Sequence, residues 1–257
     1  MPFTLAHPAA ALPLWPLIRR GYLPLAPFAI GAMAPDFEYL LRLEPYALVS
    51  HSLRGVLLFC LPGGVLTFLV WGGLVRPVGR ALVALPVSGA RLPRDVAGWA
   101  VVVLALLLGS ASHVGWDALT HRDAWGPEVI PALKLVAFSV RGYDVPWYNV
   151  LQLLSSLAGM VVVGVWLWRE GRGRDTGTRA LLTPWRLRVW ATLGAVAIAM
   201  ATWNAPRHGI MTHVAPTKLV IGRMVVGGLL GLVIGLVALA ILHRAGRFAL
   251  SDETITS

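Results

Sequence analysis

His113-Val-Gly-Trp-Asp117-Ala-Leu-Thr-His121 closes a long apolar run that includes Leu104 and Leu108. It sets three metal-capable side chains at four-residue intervals. On a helix, residues i and i+4 share one face about 6 Å apart along the axis. His113 and Asp117 can therefore hold one metal ion between them. Neutral imidazole and carboxylate oxygen suit zinc, and also manganese or iron. A catalytic zinc keeps one position open and lowers the pKa of bound water to about 7, which creates a nucleophile at neutral pH. His113 and His121 are about 12 Å apart along a straight helix, too far for one ion with bonds of about 2 Å. Either the helix ends before His121, or His121 serves a second ion bridged by Asp117.

These groups need a scaffold, and composition indicates its class. The chain has 257 residues, 57% hydrophobic and 13% charged, which is the profile of an integral membrane protein. Ionisable residues at membrane depth are costly, so those present are functional candidates. The expected fold is all-α: a membrane helical bundle of about five transmembrane helices, plus an N-terminal helical segment at the outer face. The expected spans are Gly55–Val75, Val96–Ala111, Tyr148–Trp168, Val189–Trp203 and Leu219–Leu242. They form a single membrane domain, with residues 1–168 as the metal-site core. Residues 169–257 add two accessory helices and a polar tail.

The formal charge of +10 does not indicate nucleic acid. Its basic residues lie in loops after the first, third and fifth spans, as the positive-inside rule describes. That pattern puts those loops and the C-terminus in the cytoplasm, and the N-terminus and Ser112–Trp147 outside, in a multi-pass inner-membrane protein. Prolines at positions 2, 8, 13 and 16 interrupt any signal-peptide core. Cys60, the one cysteine, excludes a thiolate metal site and reads as apolar filler in a span.

This topology gathers the ionisable groups at one membrane face. His51 precedes the first span, while His113 and Asp117 close the second. Asp36 lies upstream, after the apolar segment Leu23–Ala34, and His7 opens the same region. The candidate metal ligands are Asp36, His51, His113 and Asp117, with His7 and His121 behind them. Arg54 could neutralise a phosphate. Asp123 and Glu128 are candidate bases or histidine orienters, and Glu38, His208 and His213 are weaker candidates. Each has a structural alternative. Ala-Pro-Asp36 can simply end a helix, His51 can flank a helix cap, and Arg54 can anchor the interface. Patterns such as His-Glu-x-x-His, Gly-x-Ser-x-Gly and the phosphate-binding Gly-rich loop are absent from the sequence.

Four motifs carry a resemblance: Met1-Pro-Phe-Thr-Leu-Ala-His7-Pro, Gly31-Ala-Met-Ala-Pro-Asp36, His51-Ser-Leu, and Ser112-His-Val-Gly-Trp-Asp117-Ala-Leu-Thr-His121. In residues and order, roughly from Met1 to Trp168, the chain resembles an uncharacterised bacterial membrane family, a domain of unknown function. That family is similar to membrane-bound metal-dependent hydrolases, and distantly to zinc-dependent phospholipase C. The resemblance implies a helical hydrolase core with Asp36, His51, His113 and Asp117 as zinc ligands. The phospholipases' downstream His-x-x-x-Glu pair has no match here, which argues for one or two ions rather than three.

The expected function is metal-dependent hydrolysis of a phosphoester, such as that of a membrane lipid, at the outer face. The rivals are a non-catalytic transporter or assembly factor with a structural metal site, and an amide or peptide hydrolase using the same ligands.

Overall fold

The computed structural model describes residues 4–83, 91–122, 124–140, 142–172, 183–206 and 216–247. It is all-α apart from one hairpin. A 3-10 segment, Thr4–Leu14, leads into α1 (Trp15–Arg19), α2 (Leu25–Met33) and α3 (Phe37–Arg42). Then follow α4 (Leu53–Leu82), α5 (Val96–Thr120) and the short α6 (Trp125–Val129). Strands β1 (Val136–Val140) and β2 (Tyr143–Pro146) pair antiparallel. The chain ends with α7 (Trp147–Arg172), α8 (Pro184–Asn204) and α9 (Pro216–Arg244).

Among the described residues, four helices are long and apolar enough to cross a bilayer: Leu53–Leu82, Val96–Thr120, Trp147–Arg169 and Leu219–Arg244. The expected fifth span, Val189–Trp203, does form a helix within α8, but it is not among them. Its apolar part rises only about 22 Å, short of the roughly 30 Å hydrocarbon core. Arg186 and Arg188 occupy its first turn. The second span continues past Ala111 to Thr120, so His113 and Asp117 are helical. The β hairpin was not anticipated. It turns at Gly142, whose φ of +79° is the left-handed conformation that glycine adopts without strain.

The chain divides into two compact units. The first comprises Met1–Pro35, Val49–Phe68 and Pro93–Trp168. Its centre is the crossing of α2 and α5, where the backbones nearly touch. A Cβ on Gly31 would collide with the Leu106 carbonyl, and one on Gly109 with the Phe28 carbonyl and the Ala32 amide. Ser110 Oγ, buried here, donates to the Gly31 carbonyl at 3.0 Å. Gly64 lies against the Leu106 side chain, and Phe68 meets Trp99 edge to face, which joins α4 to α5. Gly159 of α7 admits the Ala6 backbone in the same way. Two helix starts carry side-chain caps: Ser52 Oγ accepts from the Gly55 amide and Asp95 Oδ1 from the Gly98 amide.

The second unit comprises Asp36–Leu48, Leu69–Leu92 and Arg169–Ser257. Gly227 packs on the Met200 carbonyl, Gly231 on Ala197 and Gly235 on the Leu193 side chain, so these glycines are helix-packing contacts. Buried Arg223 pairs with Glu44 at 3.0 Å, and Asn204 Nδ2 donates to the Leu43 and Arg223 carbonyls. Arg186, also buried, donates through Nε to the Ala81 carbonyl near the end of α4.

Helix α4 contains two π turns, Val56–Cys60 and Trp71–Val75. Each holds the residue four before a proline: Leu58 before Pro62 and Gly73 before Pro77. Proline supplies no N–H to that carbonyl and its ring crowds it, so the helix widens there. In the second turn Arg244 Nη1 donates to the Gly73 carbonyl at 3.2 Å.

The α2–α5 crossing yields a paired prediction on one helix. Gly109→Ala should destabilise the protein by about 1–3 kcal/mol, through overpacking against backbone that has nowhere to move. Gly115→Ala, with open space around it, should be neutral or stabilising by up to about 1 kcal/mol from helix propensity. Thermal unfolding in detergent measures both, and equal effects would contradict the crossing.

Candidate metal centre

The first unit delivers five of the expected side chains to one place. His7 comes from the 3-10 segment and His51 from the turn before α4. His113 and Asp117 lie on adjacent turns of α5, and His121 is its C-cap. Asp117 is the hub. Its Oδ2 lies 3.3 Å from His51 Nε2, 3.4 Å from His113 Nε2 and 3.7 Å from His121 Nδ1. Its Oδ1 lies 3.7 Å from His7 Nε2. The His7 and His113 rings stack at 3.6 Å, and His51 meets His113 edge to face at 5.2 Å. Ligand atoms of His7, His113 and Asp117 all fall within 4.8 Å of one another.

Outer hydrogen bonds orient these rings. The Ala32 carbonyl can only accept, so His113 Nδ1–H donates to it at 2.7 Å. A neutral His113 thus has its one proton on Nδ1 and turns the Nε2 lone pair toward the Asp117 carboxylate. Ser50 Oγ, fully buried, bonds His51 Nδ1 at 2.9 Å and leaves His51 Nε2 on the same carboxylate. His121 Nδ1–H donates to the Asp117 carbonyl at 2.9 Å. Metal-bound histidines are held in this way, with the remote nitrogen bonded to a second group.

The set fits a divalent cation. Two ligands of a tetrahedral ion with bonds of about 2.05 Å sit about 3.3 Å apart, close to the spacings around Asp117. His7 Nε2 and Asp117 Oδ1 are buried without a hydrogen-bond partner among the described residues. A cation between them would satisfy both atoms, which otherwise carry a desolvation penalty. Burial, reinforced by the neighbouring His113 ring, lowers the His7 pKa to about 3, so this imidazole is neutral and its lone pair is available at physiological pH. His121 is also shifted downward, chiefly by burial. His113 is fully buried, whereas the His51 and His121 side chains are 22% and 35% exposed, so the cluster has one accessible side.

The other sequence candidates are placed as follows. Asp36 is buried in the second unit, one helical turn beyond Ala32 along the chain. Glu38, buried in the same unit, accepts from the Leu48 amide at 2.8 Å and lies 3.9 Å from Arg42, so it holds the loop after α3. Arg54 is exposed on the first turn of α4. Glu128 is exposed and pairs with Lys134 at 2.6 Å. Asp123, His208 and His213 lie outside the described residues. The sequence reading missed Ser50, although it directly precedes His51, and the Ala32 carbonyl, which no side-chain pattern announces.

The buried His7 ring sets a pH dependence for the metal-free protein. An unfolded histidine takes up its proton near 6.5, but the folded ring does so only near 3. The unfolded state therefore binds more protons in that window, and stability falls as pH drops through it. His7→Gln should give a shallower decline in melting temperature over the same range. An unchanged slope would contradict the buried neutral ring.

Comparison with known proteins gives one match. Residues 1–241 match the family described as Domain of unknown function (DUF4184). No curated protein and no solved structure matches the chain. The expectation of an uncharacterised domain family therefore holds, and the match extends beyond Trp168 to include α8 and most of α9. The chain belongs to the DUF4184 family, a domain of unknown function.

Proposed function

We propose that this protein is a membrane-bound, metal-dependent hydrolase acting on a phosphoester, with zinc as the ion and one or two ions per chain. The observation that carries this reading is the ring of imidazole nitrogens 3.3–3.7 Å from the Asp117 carboxylate, with His7 Nε2 and Asp117 Oδ1 buried without a hydrogen-bond partner among the described residues.

His7, His51 and His113 would hold the ion through Nε2 and Asp117 through its carboxylate. The Ala32 carbonyl keeps the proton of His113 on Nδ1, so that its Nε2 stays a donor of electrons, and Ser50 Oγ holds His51 Nδ1 with Nε2 turned to the carboxylate. His121 steadies the last turn of α5 through the Asp117 carbonyl. Asp36 is proposed as a further carboxylate ligand on the strength of its motif. The ion would polarise a phosphoryl oxygen and raise the acidity of water in the site. Arg54 is proposed to neutralise substrate phosphate, and Asp123 to act as base.

The accessible side at His51 and His121 supports catalysis over a purely structural ion, which a closed ligand shell would hold. The basic residues after α4, α7 and α9 support a site at the outer face of the inner membrane, in contact with membrane lipids.

Purified wild-type protein should carry at least one equivalent of zinc and hydrolyse a phosphoester, and the activity should vanish with a chelator. His113→Ala/Asp117→Ala should carry almost none. Equally low metal in both would overturn the proposal, and cleavage of amides alone would overturn the phosphoester assignment. Ser50→Ala should weaken zinc affinity by about 10–100-fold through loss of His51 orientation. An unchanged affinity would remove Ser50 from the site.

A further inference from the structure

A cavity of about 260 Å³ opens beside His7 within the first unit, walled by the 3-10 segment, α5 and α7. His7 lines it while its Nε2 faces Asp117, so this one ring separates the cavity from the metal cluster. His7 is 7% exposed and its Nε2 has no hydrogen-bond partner among the described residues. On α7 the wall is Ser155, Ala158 and Val162, spaced i, i+3 and i+7 along one helix face. Ala10 lines the opposite side. At the rim Trp116 Nε1 donates to Ser155 Oγ at 3.0 Å, which ties α5 to α7. The rest of the lining is Ser112, Gly159 and alanine methyl groups, with no charged residue.

The setting identifies the occupant. Helix α7 is the least buried of the four candidate spans, with 6% of its apolar window inside the protein. Its neighbouring face presents Leu153, Leu157 and Val161 outward. A groove on such a helix, about 12–22 Å from its N-terminal end, opens into hydrocarbon rather than water. Small walls accept an unbranched chain and offer a headgroup no charged partner. The His7 ring closes the groove toward the cluster.

We propose that this groove seats one acyl chain of a membrane phospholipid, so that the lipid's phosphoester is presented at the metal cluster beyond His7. The proposal rests on the hydrolase reading for the identity of the reacting group, but the groove can be tested without activity. It makes the substrate a bilayer lipid that reaches the site sideways from the membrane.

The test uses full-length protein in phosphatidylglycerol nanodiscs, doped with a phosphatidylglycerol that carries a diazirine on one acyl chain. After irradiation, adducts are mapped by mass spectrometry. They should concentrate on Ser155, Ala158 and Val162 and on the 3-10 segment around Ala10, above the level on Leu153, Leu157 and Val161. Ala158→Phe should cut groove adducts roughly tenfold, since the added ring fills the space the chain would take. Ala10→Phe, from the opposite wall, should do the same if Ala158→Phe fails to fold. Zinc content should be unchanged in both variants. Adducts that follow surface exposure alone, or that persist in both variants, overturn the groove. Loss of zinc from wild type with groove adducts intact would overturn the metal reading and leave the groove standing.

Discussion

The site depends on how closely the backbones of α2 and α5 approach. Glycines at positions 31 and 109 let the two helices cross with carbonyls and amides nearly touching. Only at that separation does the Ala32 carbonyl reach the His113 ring, at 2.7 Å. That bond sets the His113 tautomer and aims Nε2 at Asp117, one turn further along the same helix. His7 then stacks on the fixed His113 ring, and His51 approaches from the edge. A single packing constraint thus becomes an arrangement of lone pairs around one carboxylate.

The surrounding elements serve the same geometry. Gly159 admits the Ala6 backbone, which sets the neighbouring His7 beside α5. Ser52 caps α4 and so fixes the turn on which Ser50 and His51 sit. Buried polar groups of this kind are tolerated only when each finds a partner or an ion. In the second unit, Arg223 pairs with Glu44, yet Asn204 Oδ1 and Arg223 Nη2 stay buried without a hydrogen-bond partner among the described residues. What distinguishes the first unit is the chemistry of its unpartnered atoms: His7 Nε2 and Asp117 Oδ1 face each other at 3.7 Å, an imidazole nitrogen and a carboxylate oxygen that could together hold a cation.

Much of this was legible in the sequence. The four-residue spacing of His113 and Asp117 required a shared helix face, and α5 provides it. The composition required membrane helices. The length argument against a single ion using both His113 and His121 also resolves simply: α5 ends at Thr120, and His121 bonds back to the Asp117 carbonyl. The less legible features depend on tertiary contact. A backbone carbonyl such as that of Ala32 carries no side-chain signature. α8 has the length of a span, 21 residues, but Arg186 and Arg188 near its start and Asn204 at its end leave an apolar stretch shorter than the bilayer core. The hairpin after α6 is short, and its pattern was submerged in a loop rich in aromatic residues. The π turns could have been found, since each follows from a proline four residues on.

Zinc K-edge X-ray absorption on the purified, zinc-loaded protein tests the central claim most directly. The account predicts a first shell of nitrogen and oxygen at about 2.0–2.1 Å, with the outer-shell scattering of about three imidazoles and no sulfur. That pattern should be lost in the His113→Ala/Asp117→Ala variant. A shell with one imidazole or none, or an unchanged spectrum in the variant, would contradict it.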